Sequence, residues 1–406
     1  MRDIVALVGG IPRAHRAVLA MGHSAVLVVR RSDLSPDLAR LPVEEIVLLE
    51  EEDDAALAVA ALERQLTAAD AGLSHCVAFH DDYHELASRI ADSFGLPYYV
   101  NPHSVRDTKD KARARAIADR LGPAPRRHHA FRHPAEVAAH MDGVSEWVVK
   151  PVSGVSSRSV TPVRSHAALR AAVEAAPETT EWLLEERLTG AEYSVEAWSV
   201  EGEHHVLGIT ARRSFPGTFV PMEHVFPARL TPQEAGTVEE FVGRFLTEAG
   251  ATNGPAHVEV IVQDGRVDLI ECQLRLGGGG ICELVRLTRG VDLLHEAAVQ
   301  ALGGSVDPEA WPPAEGVAVS TFVHGHLPGG RVASNGVPAS VTRLPGVRAV
   351  DAQWQVGAES RALSSGADRW MSLTTTGADE DAARTRTDEA LAQLDLRLRV
   401  NAGDAH

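Results

Sequence analysis

The chain has 406 residues, 44% of them hydrophobic and 23% charged, which is enough for two or three lobes with real cores and too apolar for a disordered chain. Its 39 Lys and Arg against 56 Asp and Glu give a formal net charge of −17, so nucleic acid and anionic membranes are excluded as expected partners. The three cysteines, Cys76, Cys272 and Cys282, have neither disulfide nor zinc spacing, which fits a reducing cytoplasm. No apolar run reaches the roughly 18 residues of a membrane span.

In chain order, Met1–Gly10 reads as a first strand meeting a glycine turn, without the h-region of a signal segment. A helix around Arg13–Met21 follows, then the strands HSAVLVV, EEIVLL and HCVAF separated by helical patterns, the rhythm of a parallel α/β sheet. Gly9-Gly10 lacks the spacing of a dinucleotide fingerprint. From about Asn101 the texture becomes α+β: a basic helix over Lys109–Leu121, the strand EWVVKP, a Gly/Ser-rich turn and a helix over His166–Glu174. Next come the strands WLLEERL and YSVEAWSV, an irregular stretch near Arg212–Leu230, a helix over Glu234–Glu248 and a hairpin around Asp264-Gly265. From about Ser305 short β runs with Gly and Pro lead to a helix near Asp381–Leu394. The segments are thus 1–104, 105–305 and 306–406.

The chemistry concentrates in that hairpin. With Asp264-Gly265 as a two-residue turn, Glu259 pairs with Ile270, and the Glu259 and Glu271 carboxylates face opposite sides. A three-residue loop over Gln263–Gly265 instead puts them on one face as diagonal neighbours about 7–8 Å apart, with Gln273 beside them. Two carboxylates and an amide oxygen suit magnesium, which completes its shell with water and phosphate; a plain acidic strand face is the bland alternative. Arg275 follows, placed to meet negative charge, and then the run Gly277–Gly280, where backbone can approach a ligand closely. Lys150 ends an apolar strand just before Ser153-Gly154-Val155-Ser156-Ser157, whose amides and hydroxyls can wrap phosphates, and Lys111 opens the basic helix. No Walker loop is present.

This order of elements resembles the ATP-grasp superfamily of carboxylate-amine ligases over about residues 1–305, and the tail resembles the C-terminal domain of its L-amino acid ligase branch. The resemblance implies an ATP-grasp fold with an N-terminal parallel α/β domain, a mobile lid subdomain at roughly 124–187 and a β-rich C-terminal domain. Asp110-Lys111 is similar to the family's DK segment, and WVVKPVSGVSSRSV to its phosphate lysine, Lys150, and lid loop, here Ser153, Gly154, Ser156 and Ser157. Leu184–Leu188 resembles the hinge that holds adenine through the backbone of Glu186 and Leu188 and the side chain of Glu185, with Glu192 near ribose or substrate. The resemblance makes Glu259, Glu271 and Gln273 magnesium ligands, manganese being a substitute, and Arg275 the transition-state arginine. Gln273 stands where the family has asparagine. Within the branch, Met222-Glu223-His224 is similar to a loop over the acceptor site, which adds Arg212, Arg213, His224, Gly278 and Gly279 as substrate contacts.

The function implied is ATP-dependent joining of a carboxylate, an amino acid, to an amine through an acyl phosphate, with small-molecule partners and a homodimer as the assembly to test for. The same fold acting on bicarbonate or a carrier-bound acceptor, and a non-catalytic nucleotide-binding regulator, stay open. A nicotinamide oxidoreductase is disfavoured because the fingerprint glycines are missing.

Overall fold

The computed structural model describes residues 2–50, 54–122, 125–141, 143, 146–154 and 159–400. Strands β1 (Arg2–Val8), β2 (Ser24–Arg30), β3 (Glu45–Leu49) and β4 (Ala71–Ala78) form a parallel sheet in the order β3-β2-β1-β4. Its central strands are apolar on both faces because both are covered. Ile4, Ala6, Val26 and Val28 pack against the helices Ala55–Ala69 and His84–Ser93, while Val5, Leu7, Leu27 and Val29 pack toward Pro12–Ala20 and Leu293–Ala301. Helix starts follow local chemistry: Asp54, Asn101, Asp110 and Ser165 each cap a backbone amide, and Thr231 and Glu234 form a reciprocal capping box. Asp110 in extended backbone splits the expected Lys109–Leu121 helix into Pro102–Lys109 and Lys111–Asp119.

Strands β5 (His128–Phe131), β6 (Trp147–Pro151), β7 (Thr161–Val163) and β8 (Trp182–Glu186) make a small antiparallel sheet ordered β5-β8-β6-β7. It closes over Phe131, Trp147, Leu169 and Trp182 as a core of its own. The remaining core belongs to a larger sheet of β9 (Ala191–Val200), β10 (Glu203–Ser214), β11 (Pro221–Phe226), β12 (Gly254–Gln263), β13 (Arg266–Gln273), β14 (Val317–Val323), β16 (Val347–Ala352) and β17 (Met371–Gly377). Its order is β13-β12-β9-β10-β11-β14-β17-β16, antiparallel throughout. The C-terminal segment thus continues this sheet through β14, β17 and β16, while β15 (Gly330–Gly336) and β18 (Asp395–Val400) pair apart from it. No described helix is long and apolar enough to cross a membrane.

The stretch Arg212–Leu230, expected to be irregular, contains two strand segments: β10 runs to Ser214 and β11 occupies Pro221–Phe226. Both faces there carry polar side chains, Arg212 and His224 on one and Arg213 and Glu223 on the other, so the alternation of apolar and polar that marks a strand is missing.

Candidate active site

A cleft lies between the small sheet and the β13-β12-β9-β10 part of the large one. Val148, Val160, Phe219, Ile261 and Ile270 supply apolar wall, Glu186, Arg187 and Leu188 line it beside them, and Lys111, Lys150, Arg212, Glu192, Glu259 and Glu271 supply charge.

On the cationic side Lys150 is 4% exposed. Its Nζ contacts Glu185 Oε1 at 2.5 Å and donates to the Ile270 carbonyl at 3.3 Å. The other Glu185 oxygen accepts twice from Arg115, at 2.7 and 3.2 Å. Burial alone pushes the Glu185 carboxyl up, but Lys150 and Arg115 outweigh it and hold the group at about 2; burial pulls the Lys150 ammonium down. Lys111 donates to the Gly154 carbonyl at 2.9 Å and sits 3.4 Å from Glu271 Oε2. An ammonium has three N–H donors, so each lysine keeps one beyond these two partners.

The acidic side corrects the expected register. The turn is two residues, Asp264 and Gly265, both at positive φ (52° and 78°), with Gln263 opposite Arg266, a hairpin geometry that favours these residue types. Glu259 nevertheless faces Glu271 directly, because Ile270 bulges out between the Glu259/Glu271 and Val260/Leu269 pairs. The bulge turns what would be opposite faces into one face, and its residue offers the carbonyl that accepts from Lys150. Gln273 follows on the same side, opposite His257; its Nε2 donates to Glu271 Oε1 at 3.0 Å and its Oε1 accepts from Arg275 at 2.8 Å. Glu259 pairs with Arg212 and, at 3.3 Å, with His257 Nε2. Desolvation raises the largely covered Glu259 carboxyl, but these two cations outweigh it and hold the group well below the usual range. Burial opposes a charge on His257, but Glu196 at 2.6 Å and Glu259 raise it to about 10, so the ring is an imidazolium.

Of the other expected site residues, Gly154 and Glu192 line the cleft, and burial raises the Glu192 carboxyl. Ser153 lines a separate polar depression with Asp82 and Lys109, and Ser156 and Ser157 lie outside the described residues. Glu185 is tied up by Lys150 and Arg115, while Glu186 and Leu188 line the cleft beside it. Arg213 does not accompany Arg212: consecutive strand residues point to opposite faces, and Arg213 pairs with Glu223 at 2.9 Å, so it is removed from the substrate set. His224 is buried, donates from Nδ1 to the Gly279 carbonyl at 3.0 Å, and is driven by burial and by Arg212 to about 3, hence neutral. A Cβ on Gly279 would come within 2.5 Å of that ring, while one on Gly278 would meet nothing, so the loop sits close on His224 and opens at Gly278.

Four site residues had no place in the sequence reading. Arg115 follows Lys111 by one helical turn, and His257 precedes Glu259 by two on a strand; both spacings put the pair on one face. Glu196 sits opposite His257 across β9 and β12, a relation no local spacing shows. Asp81, in the loop just past the C-terminal end of β4, lies 2.8 Å from Arg275 Nε, where loops of parallel sheets meet ligands.

Among the described residues no three His, Cys, Asp or Glu side chains form a metal cluster. The facing Glu259 and Glu271 carboxylates suit a hard cation that draws its other ligands from water and phosphate, whereas the Gln273 amide turns its oxygen to Arg275 and its Nε2 to Glu271, so it joins such a set only with the amide rotated.

Residues 144–283 match the model of the ATP-grasp domain, and residues 326–399 that of L-amino acid ligase C-terminal domain 2. An uncharacterized protein of Sinorhizobium fredii is 28% identical over 242 residues, 55% of this chain and 48% of its own; the chain thus spans about half the length of that relative. The L-amino acid ligase of Bacillus licheniformis superposes with a TM-score of 0.81 at 20% identity over 98% of both chains. The biotin carboxylase domain of the Hydrogenobacter thermophilus 2-oxoglutarate carboxylase gives 0.70 at 16% over 97% of this chain and 90% of its own. Phosphoribosylglycinamide synthetase of Anaerococcus prevotii gives 0.68 at 15% over 98% of this chain and 100% of its own. At these identities the superpositions establish the fold.

Proposed function

From an ATP-grasp fold that carries an ATP-grasp domain and an L-amino acid ligase C-terminal domain 2, we propose that the protein is an ATP-dependent ligase joining an amino acid carboxylate to an amine. The observation that carries this reading is the facing of two lysines, each with a spare donor, and two directly paired carboxylates across one partly apolar cleft. Adenine lies against Val148, Leu188 and Ile270, with the hinge backbone at Glu186 and Leu188 along its edge. Lys111 and Lys150 neutralise phosphate oxygens.

Glu259 and Glu271, with Gln273, would hold magnesium or manganese. Bound there, the ion would screen phosphate charge during transfer. A substrate carboxylate oxygen attacks the γ-phosphorus and ADP leaves; the amine nitrogen then attacks the acyl carbon and phosphate leaves. Neither step needs a protein nucleophile. Arg275, anchored by Asp81 and Gln273, stands beside the ligand strand with donors left for charge developing on the transferred group.

The deciding experiment measures ADP formation with pairs of amino acids, each with and without the amine partner, and with bicarbonate as a separate arm. Amine-dependent ADP supports the ligase. Bicarbonate-dependent ADP without amine, or nucleotide binding with no turnover in any arm, sinks it. A second expectation concerns Gln273: Gln273→Asn keeps activity within about tenfold, while Gln273→Ala raises the magnesium needed for half-maximal rate. Equal magnesium dependence in both variants removes Gln273 from the ligand set.

A further inference from the structure

The face of the large sheet that carries Glu259 continues through strands the ATP cleft does not use. Arg212 pairs with His224, His224 with Ser320, and Ser320 with Thr374, so one cross-strand row runs from β10 through β11 and β14 to β17. Arg369 stands just before β17, and its guanidinium lies 3.7 Å from the centroid of Phe322 on β14. Phe322 in turn meets the His224 ring edge-on at 5.5 Å. Gly366 encloses the other side, where a Cβ would approach Arg369 Nη2 to 3.3 Å.

Arg369 is 8% exposed and has no carboxylate or hydrogen-bond acceptor among the described residues; its Nε is a buried orphan donor. The Arg212 Nε is one too. Burial first, and then the Arg212 charge, lower the Arg369 guanidinium to about 10, an unusual depression for a group that otherwise stays charged under all ordinary conditions. A ring face compensates a desolvated cation only partly, and a buried charge without a counter-ion is strongly unfavourable. Two mutually repelling guanidinium groups with orphan donors are stabilised by one anion that both can reach.

Resting on the ligase reading, we propose that Arg369 and Arg212 form a subsite for a substrate carboxylate that does not react and is retained in the product. Arg212 reaches across β9 to Glu259, whereas Arg369 stands over β14 on its other side. An anion between them therefore lies on the β14 side of Arg212, opposite the contact that Arg212 makes with Glu259. The planar guanidinium fork matches a carboxylate. Two sources share this chemistry: the α-carboxylate of an amino acid acceptor, and the second carboxylate of a dicarboxylic donor.

The test compares wild type with Arg369→Met and Arg369→Lys, using the amino acid pair that gives the fastest ADP formation. For the substrate whose carboxylate is bound, Arg369→Met should raise KM about 10- to 100-fold, the worth of a charge-assisted pair, with the KM for ATP unchanged and Arg369→Lys intermediate. L-Alaninamide in place of L-alanine as acceptor, and L-asparagine in place of L-aspartate as donor, identify the source: the neutral analogue of the bound substrate should be used equally by wild type and Arg369→Met. Equal losses for charged and neutral analogues, or no loss, overturn the subsite while leaving the ligase intact. If no pair yields ADP the ligase reading fails, and sodium acetate against sodium chloride at equal ionic strength then tests the subsite alone. Acetate should raise the melting temperature of wild type and not of Arg369→Met; equal shifts overturn the proposal. Arg369→Met should melt no lower than wild type, because it removes an uncompensated buried cation. A markedly lower melting temperature overturns the proposal by making Arg369 a structural partner of Phe322.

Discussion

Glu271→Gln should lower the rate of amine-dependent ADP formation by about 10²- to 10³-fold, the usual consequence of deleting one preorganised electrostatic contact to a transferring group, while leaving the protein close to wild type in stability. Glu259→Gln should lose activity to a similar degree and also unfold more easily. The two carboxylates sit opposite each other on adjacent strands, yet their surroundings differ. The Glu271 side chain is 19% exposed, and its cationic neighbour is Lys111 at 3.4 Å, so neutralising it affects one lysine, which keeps the Gly154 carbonyl as acceptor. Glu259 is the counter-ion of both Arg212 and the His257 imidazolium, whose side chains are 6% exposed. Its loss leaves two buried cations short of a partner, and removing one member of a buried ion pair costs about 3–5 kcal/mol. Denaturant midpoints and ADP release rates for the two variants check this. Equal stability of both variants would show that Arg212 and His257 do not depend on Glu259, and near-normal turnover of Glu271→Gln at saturating magnesium would remove it as a ligand.

The contrast shows where sequence reading reached and where it stopped. The parallel sheet was legible because β1 and β2 are continuous apolar runs meeting turn residues. The helices Pro12–Ala20, His166–Glu174 and Pro232–Glu248 were legible from their periodicity and their Pro or Ser/Thr starts. That Glu259 and Glu271 share a face was reached with the wrong turn: the three-residue loop and the bulge at Ile270 each add one residue to the hairpin, and residue types alone do not say where the extra one goes. Arg212 and Arg213 look alike in sequence, but the strand period separates them, one to Glu259 and the other to Glu223. The His257–Glu196 pair and Arg369 were out of reach. Each depends on strands far apart in the chain, and an arginine without a counter-ion is recognised only once its neighbours are in place.

Lys150→Met should weaken ATP binding by about 10- to 100-fold, the loss expected for a charge-assisted contact in a poorly solvated cleft, without unfolding the protein. The accounting rests on Glu185. With Lys150 present, this carboxylate has two cations, Lys150 at 2.5 Å and Arg115 at 2.7 Å. After the substitution it keeps Arg115, so the buried site changes from one net positive charge to none and leaves no isolated ion. The reverse holds for Glu185→Gln, which leaves Lys150 and Arg115 facing each other without their shared anion and should lower stability while ATP affinity falls less. The Glu185 carboxyl is held at about 2, below its unfolded value near 4.5, so its contribution is fully present above that value and disappears as pH falls toward 2. In wild type this loss should appear as a steepening of acid unfolding between about pH 4.5 and 2 that Glu185→Gln lacks. Calorimetric ATP titration with magnesium, together with urea midpoints at pH 7 and across the acid range, separates the two roles. If Lys150→Met bound ATP as wild type does, the spare Lys150 donor would not face phosphate, and the nucleotide would have to be held by Lys111 and the hinge alone.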